Sequence, residues 1–333
     1  MRPFLRIVLL LLSLATLLPS GSAAAAEKGL VMGLVYTETP EILLKSWTPL
    51  FEDMSRYLGA PVKGAVAEDY AGIIWYLATG KAQLAWVGNK AAIEAVDRAD
   101  SEVLAQSVTL TGPGYYSHLI VPRASPLRDV EDVLRSAGTL SFGNGDPNST
   151  SGYVVPGYYI FAARGLEPGK LFKRVTHGSH EENFHDVASG KTDVATSNSS
   201  ALARYEQRFP DEFERIRIIW TSPMIPSDPI VVHKDLDPAL KAKIRAFLLQ
   251  YGKPGKGKSE EQAAREVQRL AARKWTGFRP SDDAQLIPIR KLELYKERLG
   301  IERNATLPES TRQERIRAIE AKIERLGPYP PAP

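Results

Sequence analysis

Gly80-Lys-Ala-Gln-Leu-Ala-Trp-Val-Gly-Asn89 returns about 110 residues later, on the same local plan, as Gly190-Lys-Thr-Asp-Val-Ala-Thr-Ser-Asn198. Ten residues ahead of each glycine stands a polar ring residue, Tyr70 in the first copy and His180 in the second. Each copy reads as a short helix opened by that ring, closed by a Gly-Lys turn, and followed by a strand that runs to an asparagine. Glycine suits the turn because a helix commonly ends on a left-handed residue. Two such copies predict two lobes of like construction, with Tyr70 and His180 facing one cleft from opposite sides.

The flanking sequence supports an α/β class. Gly29-Leu-Val-Met-Gly-Leu-Val-Tyr36 is a continuous apolar run of strand length, the pattern of a buried parallel strand. From Glu41 to Leu58 the apolar residues Leu43, Leu44, Trp47, Leu50, Phe51, Met54 and Leu58 recur at three- and four-residue spacing, and Gly59 stops the helix they predict. Strands over 62–66, 83–87 and 103–110 then alternate with helices over 70–78 and 90–99, which predicts a sheet covered by helices on both faces. Ser117-His-Leu-Ile-Val-Pro122 reads as a strand leaving the first lobe. The rhythm repeats through 139–142, 153–165, 173–176, 182–189, 193–196 and 217–221, and Ser227-Asp-Pro-Ile-Val-Val-His233 reads as the return.

These signals divide the chain into residues 1–26 as an export signal, 27–117 with 229–290 as one lobe, 118–228 as the second, and 291–333 as a helical extension with a disordered end. The sequence after Leu236 reads as mostly helical. Glu309 to Leu326 is charged and amphipathic, either a homodimer contact or a solvated terminal helix. Gly327-Pro-Tyr-Pro-Pro-Ala-Pro333 forms no packed element.

Composition narrows the function classes. Met-Arg-Pro-Phe-Leu-Arg, an apolar run from Ile7 to Leu18 and small residues through Ala26 have the three parts of a cleaved secretory signal, which implies a periplasmic mature chain. That run is shorter than the ~20 residues a spanning helix needs, and no later stretch is apolar enough for one. The chain has no cysteine, so disulfides, thiolate metal sites and a lipidated cysteine anchor are all ruled out. About 307 residues at 43% hydrophobic content can bury a large core without them. A net charge of +4, spread without a basic block, gives no nucleic-acid surface.

The chemistry concentrates at Phe142-Gly-Asn-Gly-Asp-Pro-Asn-Ser-Thr-Ser-Gly152. A glycine turn between a strand and a helix start presents unpaired backbone N–H groups at the positive end of the helix dipole. Ser149, Thr150 and Ser151 add three hydroxyl donors, so the loop reads as an anion site rather than a plain N-cap. Pro156 is expected to kink the following helix or limit its first segment. No Gly-Lys-Ser/Thr follows the glycines, which removes a nucleotide P-loop, and no other cofactor motif is present. His180 and His185 stand five apart and diverge by roughly 140° on a helix, which is not a metal-binding spacing. His185 reads as a solvated or packing histidine. Tyr115, after Gly112-Pro-Gly114, and Asp228, in Ile225-Pro-Ser-Asp-Pro229, fall at the two crossings between lobes. If Asp228 faces the cleft, the ligand must bring it a proton or a cationic group.

At these residues the chain resembles the phosphonate-binding proteins of ABC importers, within the wider phosphate, phosphite and phosphonate binding family. The likeness runs from about Thr37 to Lys291 and is strongest at Asp69-Tyr-Ala-Gly-Ile-Ile74, Glu94-Ala-Val-Asp-Arg-Ala99, Phe142–Gly152, Val155-Pro-Gly-Tyr-Tyr159, Ser222-Pro-Met-Ile-Pro-Ser-Asp-Pro-Ile230 and Leu286-Ile-Pro-Ile-Arg290. It implies a type II periplasmic binding protein fold, two α/β lobes joined by two hinge crossings that close on the ligand. It also implies phosphonate oxygens held by Tyr70, Tyr115, Ser149, Thr150, Ser151 and His180, and delivery to a permease with its ATPase. Aminoalkylphosphonate binders of the family hold the ammonium with two acidic residues. Asp228 matches one; the other position falls at Ser200 or, one register over, Ser199, a change that favours a different phosphonate such as an alkylphosphonate over 2-aminoethylphosphonate.

Two further readings use the same residues. A phosphite or phosphate binder needs only the anion loop, whereas a phosphoester hydrolase needs an activated nucleophile or metals with carboxylate ligands, and the sequence offers only Ser149 with His180. A sensor ectodomain on the same fold would need a membrane helix in the mature chain.

Overall fold

The computed structural model describes residues 29–110, 112–255 and 257–328; the expected export signal and residues 329–333 of the proline-rich end lie outside them. Two sheets organise these residues. The first runs in the order Trp275–Pro280, Ser101–Thr109, Pro229–His233, Leu84–Trp86, Leu30–Leu34, Val62–Val66. The second runs Ile216–Thr221, Ser117–Pro122, Val194–Asn198, Ser141–Gly145, Arg174–Gly178.

The two sheets share a topology. Leu30–Leu34 is parallel to both Val62–Val66 and Leu84–Trp86, and Ser141–Gly145 is parallel to both Arg174–Gly178 and Val194–Asn198. Beside the third strand of each run lies an antiparallel one, Pro229–His233 in the first sheet and Ser117–Pro122 in the second. The chain enters each of these antiparallel strands just after crossing from the opposite lobe. The chain passes through Gly114–Tyr115 on the way out and Ile225–Pro226 on the way back, and these two short crossings pair with each other, Ile225 opposite Tyr115. The internal echo in the sequence is therefore a repeated βαβαβ unit, and the α/β fold of two lobes with two crossings forms as expected.

Local chemistry explains the elements. Pro40–Leu58 buries Leu43, Trp47, Leu50, Phe51 and Met54 in the first lobe, and Gly59 ends it at φ 70°. Each such side chain contributes about 1.5–3 kcal/mol by leaving water. Gly80 and Gly190 hold φ 70° and 74°, the left-handed turn that the Gly-Lys pairs predict. The second lobe closes over Phe142, Phe161 and Phe172, and on its other face over Phe184 and Tyr205.

The structure departs from the sequence reading in four places. Ser117–Pro122 belongs wholly to the second sheet, and the crossing itself is Gly114–Tyr115. Trp275–Pro280 is an edge strand within a stretch read as helical; Gly277, at φ 151°, breaks the period-two pattern that would have revealed it. The helix expected from Tyr153 begins at Thr150 and carries two wide π-helical turns, Thr150–Val154 and Gly157–Phe161, on either side of Val155 and Pro156. Pro156 has no N–H to return to the preceding turn, and widening the helix absorbs it without a break.

The fourth departure is the C-terminal region. Ile287–Glu302 straddles the expected boundary and packs on both lobes. Arg290 holds Asp97 of the first lobe through two bonds of 2.7 and 2.6 Å, and Lys296 sits 4.7 Å over the Tyr153 ring of the second. Glu309–Arg325 folds back on it, burying Ile316 and Ile319 against Ile301. The apolar stripe considered for a homodimer is thus used within the chain.

Candidate functional site

The cleft between the lobes is lined by every residue that the sequence reading selected. Tyr70, Tyr115, Ser149, Thr150, Ser151, His180, Ser200 and Asp228 all border it, with Thr37, Trp86, Asn198, Arg204 and Trp275. The anion loop is shaped by two glycines. A Cβ on Gly145 would lie 2.6 Å from Gly152 Cα, so the strand end and the helix start approach this closely only without side chains. Ser149 accepts from Gly152 N at 3.0 Å and so caps the helix, while Thr150 Oγ1 accepts from Lys90 N of the opposite lobe at 2.8 Å. Ser151 Oγ lies 3.4 Å from His180 Nε2 and accepts from Asn198 Nδ2 at 3.3 Å.

The two asparagines that end the repeated strands fix the frame. Asn198 caps the helix Ser199–Arg208 by accepting from Ala201 N at 2.8 Å. Asn89 instead donates to the Pro226 carbonyl at 2.7 Å and thereby ties the return crossing to the first lobe. Asp69 and Ser179 cap the helices opened by Tyr70 and His180, which points each ring's backbone segment into the cleft.

Burial sets the protonation states. Burial, and then the charge of Arg204, lowers His180 to about 4, so its imidazole is neutral. Burial also raises the Tyr70 and Tyr115 hydroxyls, which therefore remain donors. Asp228 is raised by burial to about 7, against the opposing pull of a Tyr115 hydrogen bond and of Arg204. Several polar atoms of the lining are shut from solvent without a protein partner: Thr37 Oγ1, Trp86 Nε1, His180 Nδ1, Ser227 Oγ and Asp228 Oδ1. Buried polar groups are rarely left unpaired, and their convergence on one cleft marks where a polar ligand completes them.

The sequence reading missed several residues here. Glu38 of the first lobe is 3% exposed and bonds Arg204 at 2.5 Å and Arg208 at 3.3 Å, both of the second lobe. Burial would raise its carboxyl, but the two guanidiniums hold it below its ordinary range. Trp47, Trp86 and Trp275 pack together around Arg273, Trp47 and Trp275 edge to face, and Arg273 stands 4.0 Å from the Trp47 ring centre and 4.5 Å from that of Trp275. Arg204 had one legible signal, its place one helical turn after Ser200; the tryptophans had none, because Trp47 comes from a helix and Trp86 and Trp275 from strands roughly 190 residues apart, and they meet only in the folded lobe.

Two lobes that share one hydroxyl-lined cleft, joined by two crossings, define a type II periplasmic binding protein. The model of the family "ABC transporter, phosphonate, periplasmic substrate-binding protein" matches residues 32–286. The phosphonates-binding periplasmic protein of Escherichia coli K12 is 43% identical over 315 residues, covering 94% of this chain and 90% of the relative. A binding protein component of an ABC phosphonate transporter from Pseudomonas aeruginosa superposes with a TM-score of 0.84 at 42% identity, over 90% of this chain and 97% of that one. A Prochlorococcus marinus protein solved with methylphosphonate shares the fold at 20% identity, with a TM-score of 0.69, over 81% of this chain and 99% of its own. The chain belongs to the family of periplasmic substrate-binding proteins of phosphonate ABC transporters.

Proposed function

We propose that this chain captures an organophosphonate between its lobes, with Tyr70, Tyr115, Ser149, Thr150, Ser151 and His180 around the phosphonate oxygens, and presents the closed form to a permease driven by its ATPase. The observation that carries this is the convergence of three consecutive buried hydroxyls at a helix start with Tyr70, Tyr115 and His180 from both lobes. The export signal expected over residues 1–26 fits a periplasmic site of action, and among the described residues no helix is long and apolar enough to cross a membrane. Four or five charge-assisted hydrogen bonds at about 1.5–3 kcal/mol each reach the ~8 kcal/mol of a micromolar ligand after ordering costs.

Beyond the oxygens the cleft continues to Val35, Trp86 and Trp275, which gives a carbon substituent apolar surface. Inorganic phosphate or phosphite would leave that surface unused. A thermal-denaturation panel tests the ranking: methylphosphonate is expected to raise Tm by several degrees at saturating concentration, phosphite and phosphate by less. Equal or larger shifts with phosphate would move the assignment to an inorganic oxyanion binder.

Binding, rather than hydrolysis, suits the geometry. His180 approaches Ser151 and not Ser149, and its Nδ1 has no orienting acid among the described residues. The only group of three or more acids and histidines with ligand spacing among the described residues, Asp100 with His233 and Asp235, does not border the cleft.

The Asp228 carboxyl gives a pH prediction. Its ionisation is raised, so it carries its proton below about pH 7 and loses it as pH rises through that value. An ionised carboxylate repels phosphonate oxygens, so affinity falls from about pH 6 to about pH 8.5. Asp228→Asn should flatten that fall, leaving only the ligand's own ionisation; an unchanged slope in calorimetric titrations of the variant would mean that Asp228 does not face the ligand.

A further inference from the structure

We infer that the helix Ile287–Glu302 is a strap that keeps part of the unliganded population closed from outside the cleft, and so sets the affinity for every ligand by one common factor without touching any of them. Its root belongs to the first lobe. Leu286 and Ile289 are buried in the apolar cluster of that lobe, which Val154 and Val155 of the second lobe also join. Just ahead of them Gln285 donates to Asn89 Oδ1 at 2.8 Å and, at 3.2 Å, to the carbonyl of Ser227, the residue after the return crossing. Arg290 with Asp97, and Glu293 with Lys90 at 2.6 Å, tie the next turns to the helix Asn89–Arg98. A root held by buried side chains and two ion pairs moves with the first lobe when the lobes part.

The outer half of the strap grips the second lobe. Lys296 stands 4.7 Å from the centre of the Tyr153 ring, and the Tyr295 ring lies 6.3 Å from that of Tyr158. Beyond the helix end, Arg303 donates to the Ala162 carbonyl and, at 3.3 Å, to that of Ala163. These partners all lie on one rod, the succession of helical turns from Thr150 to Arg164, and Arg303 caps its last turn.

The other end of the rod is the anion loop. There Thr150 Oγ1 accepts from Lys90 N at 2.8 Å, and a Cβ on Gly88 would lie only 3.2 Å from that oxygen, so glycine permits the approach. Two helical segments, one from each lobe, therefore meet beside the ligand and are clasped by one strap. Lys90 is bonded to both parts, its N–H to the anion loop and its ammonium to Glu293 of the strap.

From Ile289 to Arg303 is about 20 Å along a helix, so the outer contacts lie far from the anchored root. A rotation of one lobe against the other displaces them most. They are made by surface side chains, Arg303 exposed and Lys296 partly buried, and can part and re-form without unfolding either lobe. Neither side chain borders the cleft. Contacts of this kind stabilise the closed form alone, and apparent affinity scales with the closed population.

Lys296→Met combined with Arg303→Gln tests this. X-ray scattering without ligand is expected to show the variant more extended than the wild type. Calorimetric titration should show methylphosphonate and 2-aminoethylphosphonate weakened by the same factor, about three- to tenfold, the scale of one cation–π contact and one exposed hydrogen bond. Tm should stay within a few degrees, and Arg303→Lys with Lys296 intact, which keeps a donor for one carbonyl, should lose less. Equal dimensions of the two unliganded proteins, or losses that differ between the two ligands, would overturn the inference. The titration rests on the phosphonate reading above and the scattering does not: a wild type silent to both ligands would remove that reading, while the scattering still decides the role of the strap.

Discussion

Ser149→Ala combined with Thr150→Ala is expected to weaken every phosphonate by about 3–6 kcal/mol, two charge-assisted hydrogen bonds, which takes a micromolar ligand out of measurable range. The fold should survive. Ser149 Oγ caps a single backbone N–H, that of Gly152, and losing such a cap costs about 1 kcal/mol. Thr150 Oγ1 receives its bond from Lys90 N across the cleft, so that contact exists only while the lobes are together. In a chain of this size about 1 kcal/mol moves Tm by only a few degrees. Calorimetry for affinity and scanning calorimetry for Tm separate the two effects, and retained affinity would place the anion elsewhere.

Glu38→Ala is expected to be the most damaging change outside the anion loop. Glu38 is a buried carboxylate that pairs across the lobes, and its removal takes from Arg204 its ion-pair partner and leaves Arg208 with Glu181. Breaking a buried pair from one side costs about 3–5 kcal/mol when the remaining charge stays buried. Here Arg204 and Arg208 keep 19% and 29% of their side-chain surface exposed, so the effect is smaller, about one to two orders of magnitude in affinity. An opened cleft hydrates all these groups, so the loss falls on the closed state and appears as weaker binding rather than as unfolding. X-ray scattering with ligand present should show the variant more extended than the wild type. Unchanged affinity and unchanged dimensions would mean that the Glu38 pairs do not contribute to closure.

The fold was largely legible because its signals are local. Leu30–Leu34, the amphipathic run to Leu58 and the paired glycines at 80 and 190 each state their element within a short window. The anion loop was legible for the same reason, since Ser149 to Ser151 are consecutive and a helix start gives their chemistry one direction. What the sequence concealed was assembled by the topology. Trp275–Pro280 pairs with Ser101–Thr109 as an edge strand, and a glycine interrupts its pattern. Glu38, Arg204 and Arg273 come from three distant segments, and each alone reads as an ordinary surface charge. Glu38 and Arg204 are buried where the two lobes meet and Arg273 among three tryptophans of the first lobe, contacts that have no counterpart in local spacing.

The most direct test of the central claim is a calorimetric titration of the wild type and the Ser149→Ala/Thr150→Ala variant with methylphosphonate, side by side. Saturable one-to-one binding by the wild type and none by the variant, with both proteins folded, is the predicted result. Equal binding by the two proteins, or no binding by a folded wild type at millimolar methylphosphonate, would contradict it.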